Sequence, residues 1–236
     1  MDSPRRRCLV LLSGGLDSTT VLAIARSEGF DPLALIFRYG QRHGVEVERA
    51  VALARELGVE HRVVPVDLAS VGGSALTSEA IPVPQGREDR AIREGGIPAT
   101  YVPARNTVFL AYALAWAEAL GISDIYVGVN SVDFSGYPDC RPEFVAAFER
   151  LANVATRLAT ELGARIRIRA PLIQKTKAEI IRWGISLGVD YAKTWSCYAP
   201  VRAAGGDALA CGRCDACLLR KKGFREAGAK DPARYA

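Results

Sequence analysis

Apolar and polar positions fall into blocks of two lengths along this chain. Residues 8–12 (CLVLL) form a short unbroken apolar run, and 32–39, 61–68, 124–129 and 165–170 are short, mainly apolar segments of the same kind. Short apolar runs bounded by turn residues read as β-strands buried in a sheet. Between them, 18–27, 45–57, 105–120, 142–162 and 176–187 carry helical spacing. In 45–57, Val45, Ala52 and Leu53 stand among charges, and Gly29 and Gly58 stop the first two helices. Residues 105–120 are rich in Ala and apolar on most sides, as a central helix would be. Strands separated by helices predict an α/β fold with a mostly parallel sheet and helices on both faces. Residues 70–99 lose the rhythm and predict a long loop.

Composition narrows the class. Hydrophobic residues make up 49 % of the 236 and charged residues 24 %, values of a folded globular chain. The longest apolar stretch, 108–120, contains Glu118 and falls short of the roughly 20 residues that span a bilayer. The apolar run at 8–12 is shorter than the about 7–15 residues of a secretory leader, so a cytoplasmic protein is expected. The net charge of +5 suits an enzyme with anionic substrates better than a dedicated nucleic-acid binder. The length suggests residues 1–190 as one α/β domain, with 191–236 as a C-terminal cysteine-bearing segment packed on it.

Parallel sheets bind ligands at the carboxyl ends of their strands. The polar, turn-rich segments fall there: SGGLDST after the first strand, YGQRH after the second, NSVDFSGYPDCR after 124–129 and APLIQKTK after 165–170. In the first, Gly14 and Gly15 let backbone amides approach an anion, Ser13 and Ser18 add hydroxyls, and a helix start adds its positive dipole end. The segment lacks the lysine of a Walker A loop. Asp17 is a carboxylate where phosphate is expected, which implies Mg²⁺ beside a nucleoside triphosphate. The plainer alternative is a tight turn with Asp17 or Ser18 capping the helix.

Near the C-terminus Cys197 is followed by Cys211, Cys214 and Cys217, the last three as CxxCxxC. Four thiolates at this spacing suit one structural Zn²⁺ per chain. An iron–sulfur cluster or a redox CxxC pair would use the same residues. Asp133, Phe134, Tyr137, Asp139 and Arg141 combine rings that stack on a base with carboxylates that accept its N–H groups. Tyr39, Gln41, Arg42 and Arg105 bring further recognition groups and positive charge to the same edge. Lys175 and Lys177 either hold phosphate or are solvated lysines at a helix start.

The glycine segment resembles the PP-loop N-type ATP pyrophosphatases. Together, SGGLDSTT, YGQRH, VPARN, DFSGYPDCR and the CGRCDAC cluster with Cys197 closely resemble the 7-cyano-7-deazaguanine synthase family of queuosine biosynthesis. That resemblance implies an ATP-dependent ligase acting on 7-carboxy-7-deazaguanine and ammonia, usually a homodimer, with a bound zinc and no required nucleic acid. It makes Leu12, Ser13, Gly14, Gly15, Leu16, Asp17, Ser18, Thr19, Thr20, Val21 and Leu22 the ATP segment. Ser13, Asp17, Arg105 and Lys175 become the catalytic candidates, and the four cysteines the zinc ligands. The competing readings are a tRNA-thiolating or deazaguanine-transferring relative, and a zinc-ribbon nucleic-acid binder using the basic tail around Arg220, Lys221, Lys222 and Arg225.

Overall fold

The protein is described by a computed structural model covering residues 6–130, 136–203 and 206–236. The chain runs β1 (Arg7–Leu11), α1 (Leu16–Ser27), β2 (Asp31–Arg38), α2 (Val45–Glu56), β3 (Glu60–Pro65), α3 (Asp89–Glu94), α4 (Arg105–Leu120) and β4 (Asp124–Tyr126). It continues through α5 (Pro142–Ala155), α6 (Arg157–Thr160), β5 (Arg167–Arg169), α7 (Lys177–Ser186), β6 (Val201–Arg202), β7 (Ala208–Leu209) and α8 (Asp215–Ala227). The main sheet is wholly parallel, in the order β3-β2-β1-β4-β5, and β6 and β7 form a small antiparallel pair.

Side chains of successive strand residues point to opposite faces, and β1 divides the core accordingly. Leu9 and Leu11 join a layer with Leu110, Ala113 and Leu114 of α4 and Phe148 of α5. Cys8 and Val10 join the opposite layer with Val21 and Leu22 of α1, Ala50 and Leu53 of α2, Ile180 and Ile181 of α7, and Phe224 of α8. Both faces are covered, which is why the central strands read as unbroken apolar runs. The expected α/β architecture is present.

Three segments differ from the sequence expectation. The helix expected over 142–162 breaks at Thr156, whose backbone is extended (φ −117°, ψ 143°). The Thr156 hydroxyl bonds back to the Ala152 carbonyl at 2.8 Å, and the Arg157 N–H donates to Glu118 Oε1 on α4 at 2.6 Å instead of to a helical carbonyl. The expected loop 70–99 contains α3. The basic tail is the helix α8, in which a stripe of Leu219, Gly223 and Phe224 hides among charges. Gly223 lies so close to α7 that a Cβ there would meet Lys177 Cγ at 2.4 Å.

The topology also fixes where a ligand can go. From β1 the chain first builds outward through β2 and β3, then returns to place β4 on the other side of β1. The connections leaving β1 and β4 diverge at that point, opening a crevice at their carboxyl ends.

Candidate active site and cysteine cluster

The crevice is a cavity of about 280 Å³. Its floor is the glycine segment. Gly14 has φ +76°, and a Cβ there would meet Ala50 N and Glu46 O of α2 at 2.8 Å, so only glycine lets the loop pass under α2. Gly128, after β4, fits as tightly, since its Cβ would lie 3.0 Å from Ser18 N. Hydroxyls brace the turn: Ser13 Oγ and Ser18 Oγ are 3.0 Å apart, Ser13 N donates to Ser18 Oγ at 3.2 Å, and Gly15 N donates to Ser13 Oγ at 3.3 Å. Gly15 is the N-cap residue of α1, and no side chain caps that helix. Its first N–H groups therefore lie at the cavity, the arrangement that binds phosphate.

Leu12, Ser13, Gly15, Leu16, Asp17 and Ser18 line the cavity. Thr19, Thr20, Val21 and Leu22 are buried in the body of α1, where the Thr20 hydroxyl meets Tyr191 Oη at 2.8 Å. Lys177 Nζ holds both oxygens of Asp17, at 2.8 and 2.7 Å. Lys175 is not part of the cavity wall, and its amine stands 4.0 Å from Glu179. The residues are two apart on a helix start, so their side chains leave in different directions.

Arg105 enters from the first residue of α4. Ala104 before it is left-handed at φ +53°, the one non-glycine residue with positive φ among the described residues, a conformation that carries backbone strain. The guanidinium carbon lies 5.8 Å from the Tyr39 ring centroid. Asp139 sets the helix start from outside: its Oδ2 accepts from Asn106 N and its carbonyl from Asn106 Nδ2, both at 3.0 Å. Asp139 thus faces α4 and does not line the cavity, whereas Tyr39, Gln41 and Tyr137 do. Gln41 accepts the Tyr39 N–H at 2.8 Å. The Arg42 guanidinium turns to the Ala75 carbonyl at 3.4 Å, and Arg141 is exposed at the start of α5. Asp133 and Phe134 lie outside the described residues. Phe37 and Phe109 stack at 4.0 Å to form an apolar wall. Cys140 lines the cavity but accepts from Asn106 Nδ2 at 3.2 Å. Burial, ahead of the charge of Asp139, pushes its thiol up to about 12, so it is protonated and a poor nucleophile at neutral pH.

Four cavity residues have no site role in the sequence reading. Glu46 lines the wall from the first turn of α2, where an acid ordinarily just complements the helix dipole. Trp195, Ser196 and Tyr198 form the side nearest the cysteines.

The ligand atoms of Cys197, Cys211, Cys214 and Cys217 lie within 4.8 Å of one another, and all four residues are buried. Backbone N–H groups point at the sulfurs: Cys211 N donates to Cys197 Sγ at 3.2 Å, Cys214 N to Cys211 Sγ at 3.3 Å, and Tyr198 N to Cys214 Sγ at 3.4 Å. Such donors stabilise thiolates, the form that binds metal. The group can hold a metal ion. It is tied to the glycine segment by Trp195 N, which donates to the Gly14 carbonyl at 2.8 Å.

The basic residues of α8 are largely engaged within the protein. Arg220 is buried, binding Asp231 at 3.0 Å, Thr194 Oγ1 at 2.7 Å and the Tyr191 carbonyl at 2.9 Å. Lys221 donates to the Gly212 carbonyl at 3.1 Å and Lys222 to Asp89 at 2.8 Å. No helix among the described residues is long and apolar enough to cross a membrane.

A family model described as queuosine biosynthesis protein QueC matches residues 7–228. A protein of Paramagnetospirillum magneticum named 7-cyano-7-deazaguanine synthase is 60 % identical over 97 % of this chain and 98 % of its own length. A protein of the same name from Solidesulfovibrio magneticus is 58 % identical over 99 % of this chain and 97 % of its own length. Among solved structures, an NMN synthetase from Francisella tularensis aligns over 96 % of this chain and 79 % of that one at 17 % identity and a TM-score of 0.49, a likeness that says nothing about function. On the near full-length family match and identities close to 60 %, the chain belongs to the QueC family of queuosine biosynthesis proteins.

Proposed function

We propose that the cavity at the β1–β4 crevice is the active site of an ATP-dependent ligase that converts 7-carboxy-7-deazaguanine and ammonia to 7-cyano-7-deazaguanine. One observation carries this reading: a glycine loop suited to phosphate and a basic, aromatic wall suited to a planar acid share one cavity, in a chain 60 % identical to proteins named for this synthase.

The chemistry fits the parts. A carboxylate is a poor electrophile because its leaving group would be oxide. Attack by the carboxylate oxygen on the α-phosphate of ATP forms an acyl adenylate and releases pyrophosphate. Ammonia then displaces AMP to give the amide. The amide oxygen is adenylated in the same way, and loss of AMP with two nitrogen protons leaves the nitrile. Both activations modify a carbonyl oxygen, so one loop serves twice.

The N–H groups at the start of α1, with Ser13 and Ser18, are placed to cradle the phosphates. Asp17 is the carboxylate for Mg²⁺, which would neutralise phosphate charge when bound. That role requires Lys177 to move from Asp17 onto phosphate, a short shift for a flexible side chain. Arg105 then neutralises the substrate carboxylate, with Tyr39, Phe109 and Tyr137 against the base. Positioning and charge neutralisation are the protein's main contributions.

The cysteine cluster takes Zn²⁺ in this reading. Four buried thiolates leave no position for water, so the ion is structural. None of the six cysteines is paired in a disulfide, which supports a reducing, cytoplasmic setting. Leu151 and Val154, apolar and exposed on α5, support a homodimer. The test is incubation with 7-carboxy-7-deazaguanine, ATP, Mg²⁺ and ammonium, with and without tRNA, and mass spectrometry of the products. The nitrile forming without tRNA is expected; no acid-dependent ATP turnover would overturn the reading.

A further inference from the structure

Ammonium in neutral water is almost wholly protonated and has no lone pair for attack. A site that draws on ammonium therefore has to remove a proton before the C–N bond can form. Two carboxylates line the cavity among the described residues, Asp17 and Glu46. Asp17 has both oxygens on Lys177. Glu46 differs: among the described residues no hydrogen bond or ion pair is made by its carboxylate, although it sits beside Arg105.

The placement of Glu46 is specific. It projects from the first turn of α2, whose backbone rests directly on Gly14, so it is fixed relative to the phosphate-binding loop. The groups acting on it are Arg105 from α4, Tyr39 after β2 and Tyr198 beside the cysteine cluster, all in the cavity wall. Glu48, in the same helical turn, is exposed and suffices to complement the helix dipole. Glu46 is not needed for that purpose.

We propose that Glu46 is the proton acceptor that converts ammonium to ammonia at the acyl adenylate. This rests on the ligase reading above. One N–H bond of ammonium breaks, its proton goes to the Glu46 carboxylate, and its electron pair becomes the nitrogen lone pair. That pair forms the C–N bond at the carbonyl carbon. The C–O bond to AMP then breaks with its electrons on the phosphate oxygen, and the second nitrogen proton leaves on the AMP phosphate. The positive charge of Arg105 favours the neutral nitrogen over the cation. Burial raises the Glu46 carboxyl to about 7, against the lowering pull of Arg105, which suits a base working near neutral pH.

The experiment uses the full chain and separates adenylation from amide formation. Adenylation is read as acid-dependent exchange of labelled pyrophosphate into ATP. Amide formation is read with saturating ammonium from pH 5.5 to 8.5, and again with hydroxylamine, which is largely unprotonated at neutral pH. The wild-type protein is expected to exchange pyrophosphate and to show amide formation rising with pH through about 7. Glu46→Gln is expected to keep exchange near the wild-type rate and to lose at least about a hundredfold in amide formation with ammonium. It should react far better with hydroxylamine, and its rate with ammonium should follow free ammonia, climbing across the whole range instead of levelling off above about 7 as the wild-type rate does, while Glu46→Asp recovers part of the rate and of the levelling. Amide formation by Glu46→Gln at the wild-type rate, or with the same pH profile, overturns the proposal. Loss of exchange together with amide formation also overturns it, by placing Glu46 in adenylation or in the fold. A wild-type protein without acid-dependent exchange removes the ligase reading itself, and this inference with it.

Discussion

The glycine loop and the cysteine cluster both turn heteroatoms toward one point, but they are held in opposite ways. In the loop, shape comes from backbone: Gly14 at φ +76° passes beneath α2, and the Ser13 and Ser18 hydroxyls brace the turn. Its functional atoms face an open cavity. In the cluster, the four cysteines are buried, and the sulfurs of Cys197, Cys211 and Cys214 take N–H donors from the surrounding chain. The ligand-facing groups of the loop carry light structural duties, the Ser13–Ser18 brace and the Asp17–Lys177 pair, whereas those of the cluster are themselves the fold. The regions meet where Trp195 N donates to Gly14 O, so the cluster also positions one wall of the cavity.

Removing a cysteine should therefore have the largest effect on the fold. Metal binding contributes on the order of 10–16 kcal/mol to the folding of a local structural site. Cys214→Ser is expected to lose the metal, reduce solubility and lower the melting temperature. Elemental analysis and thermal melts read this out. Folded, active wild-type protein with well below one zinc per chain would break the contrast from that side.

Asp17→Asn tests the other half. It keeps the shape of the side chain and removes the charge available to Mg²⁺. Turnover should fall at least a hundredfold, roughly 2.7 kcal/mol of transition-state stabilisation, with only a small drop in melting temperature from weakening the pair with Lys177. A large drop in melting temperature with activity retained would instead make Asp17 a helix-start residue.

Gly14→Ala probes the one place where the loop's shape is itself demanding. The new methyl meets α2 backbone at 2.8 Å and φ is positive. A loss of more than about 1 kcal/mol in stability is expected by urea unfolding, together with weaker nucleotide binding. An unchanged unfolding curve would mean that backbone geometry does not hold the loop.

The smallest expected effect has the opposite sign. Ala104→Gly relieves the left-handed strain before Arg105 and should stabilise the chain by up to about 1 kcal/mol in the same assay. Destabilisation would show that the strain at Ala104 is offset by contacts of its side chain.

The contrast also explains what could be read in advance. SGGLDS and CGRCDAC are contiguous, and their chemistry follows from residue type and spacing alone. The sheet was legible because β1 and β2 are buried on both faces. Groups whose role depends on a distant partner were not. Asp139 stands out as a polar residue near the sheet edge, but nothing local shows that its carboxylate holds the Asn106 N–H across 33 residues. Lys175 and Lys177 look equivalent in the chain; only the packing of α7 beneath α1 turns Lys177 to Asp17. Glu46 reads as a routine acid in a helix's first turn, and α8 hides its apolar stripe among Arg220, Lys221, Lys222 and Arg225.

In the proposed reaction one loop in one cavity activates a carbonyl oxygen twice. Quantitative chromatography of nucleotides and bases, started separately from 7-carboxy-7-deazaguanine and from its amide, tests it directly. Two AMP and two pyrophosphate per nitrile are expected from the acid, and one of each from the amide with no requirement for ammonia. An inert amide, or ADP and orthophosphate in place of AMP and pyrophosphate, would contradict it.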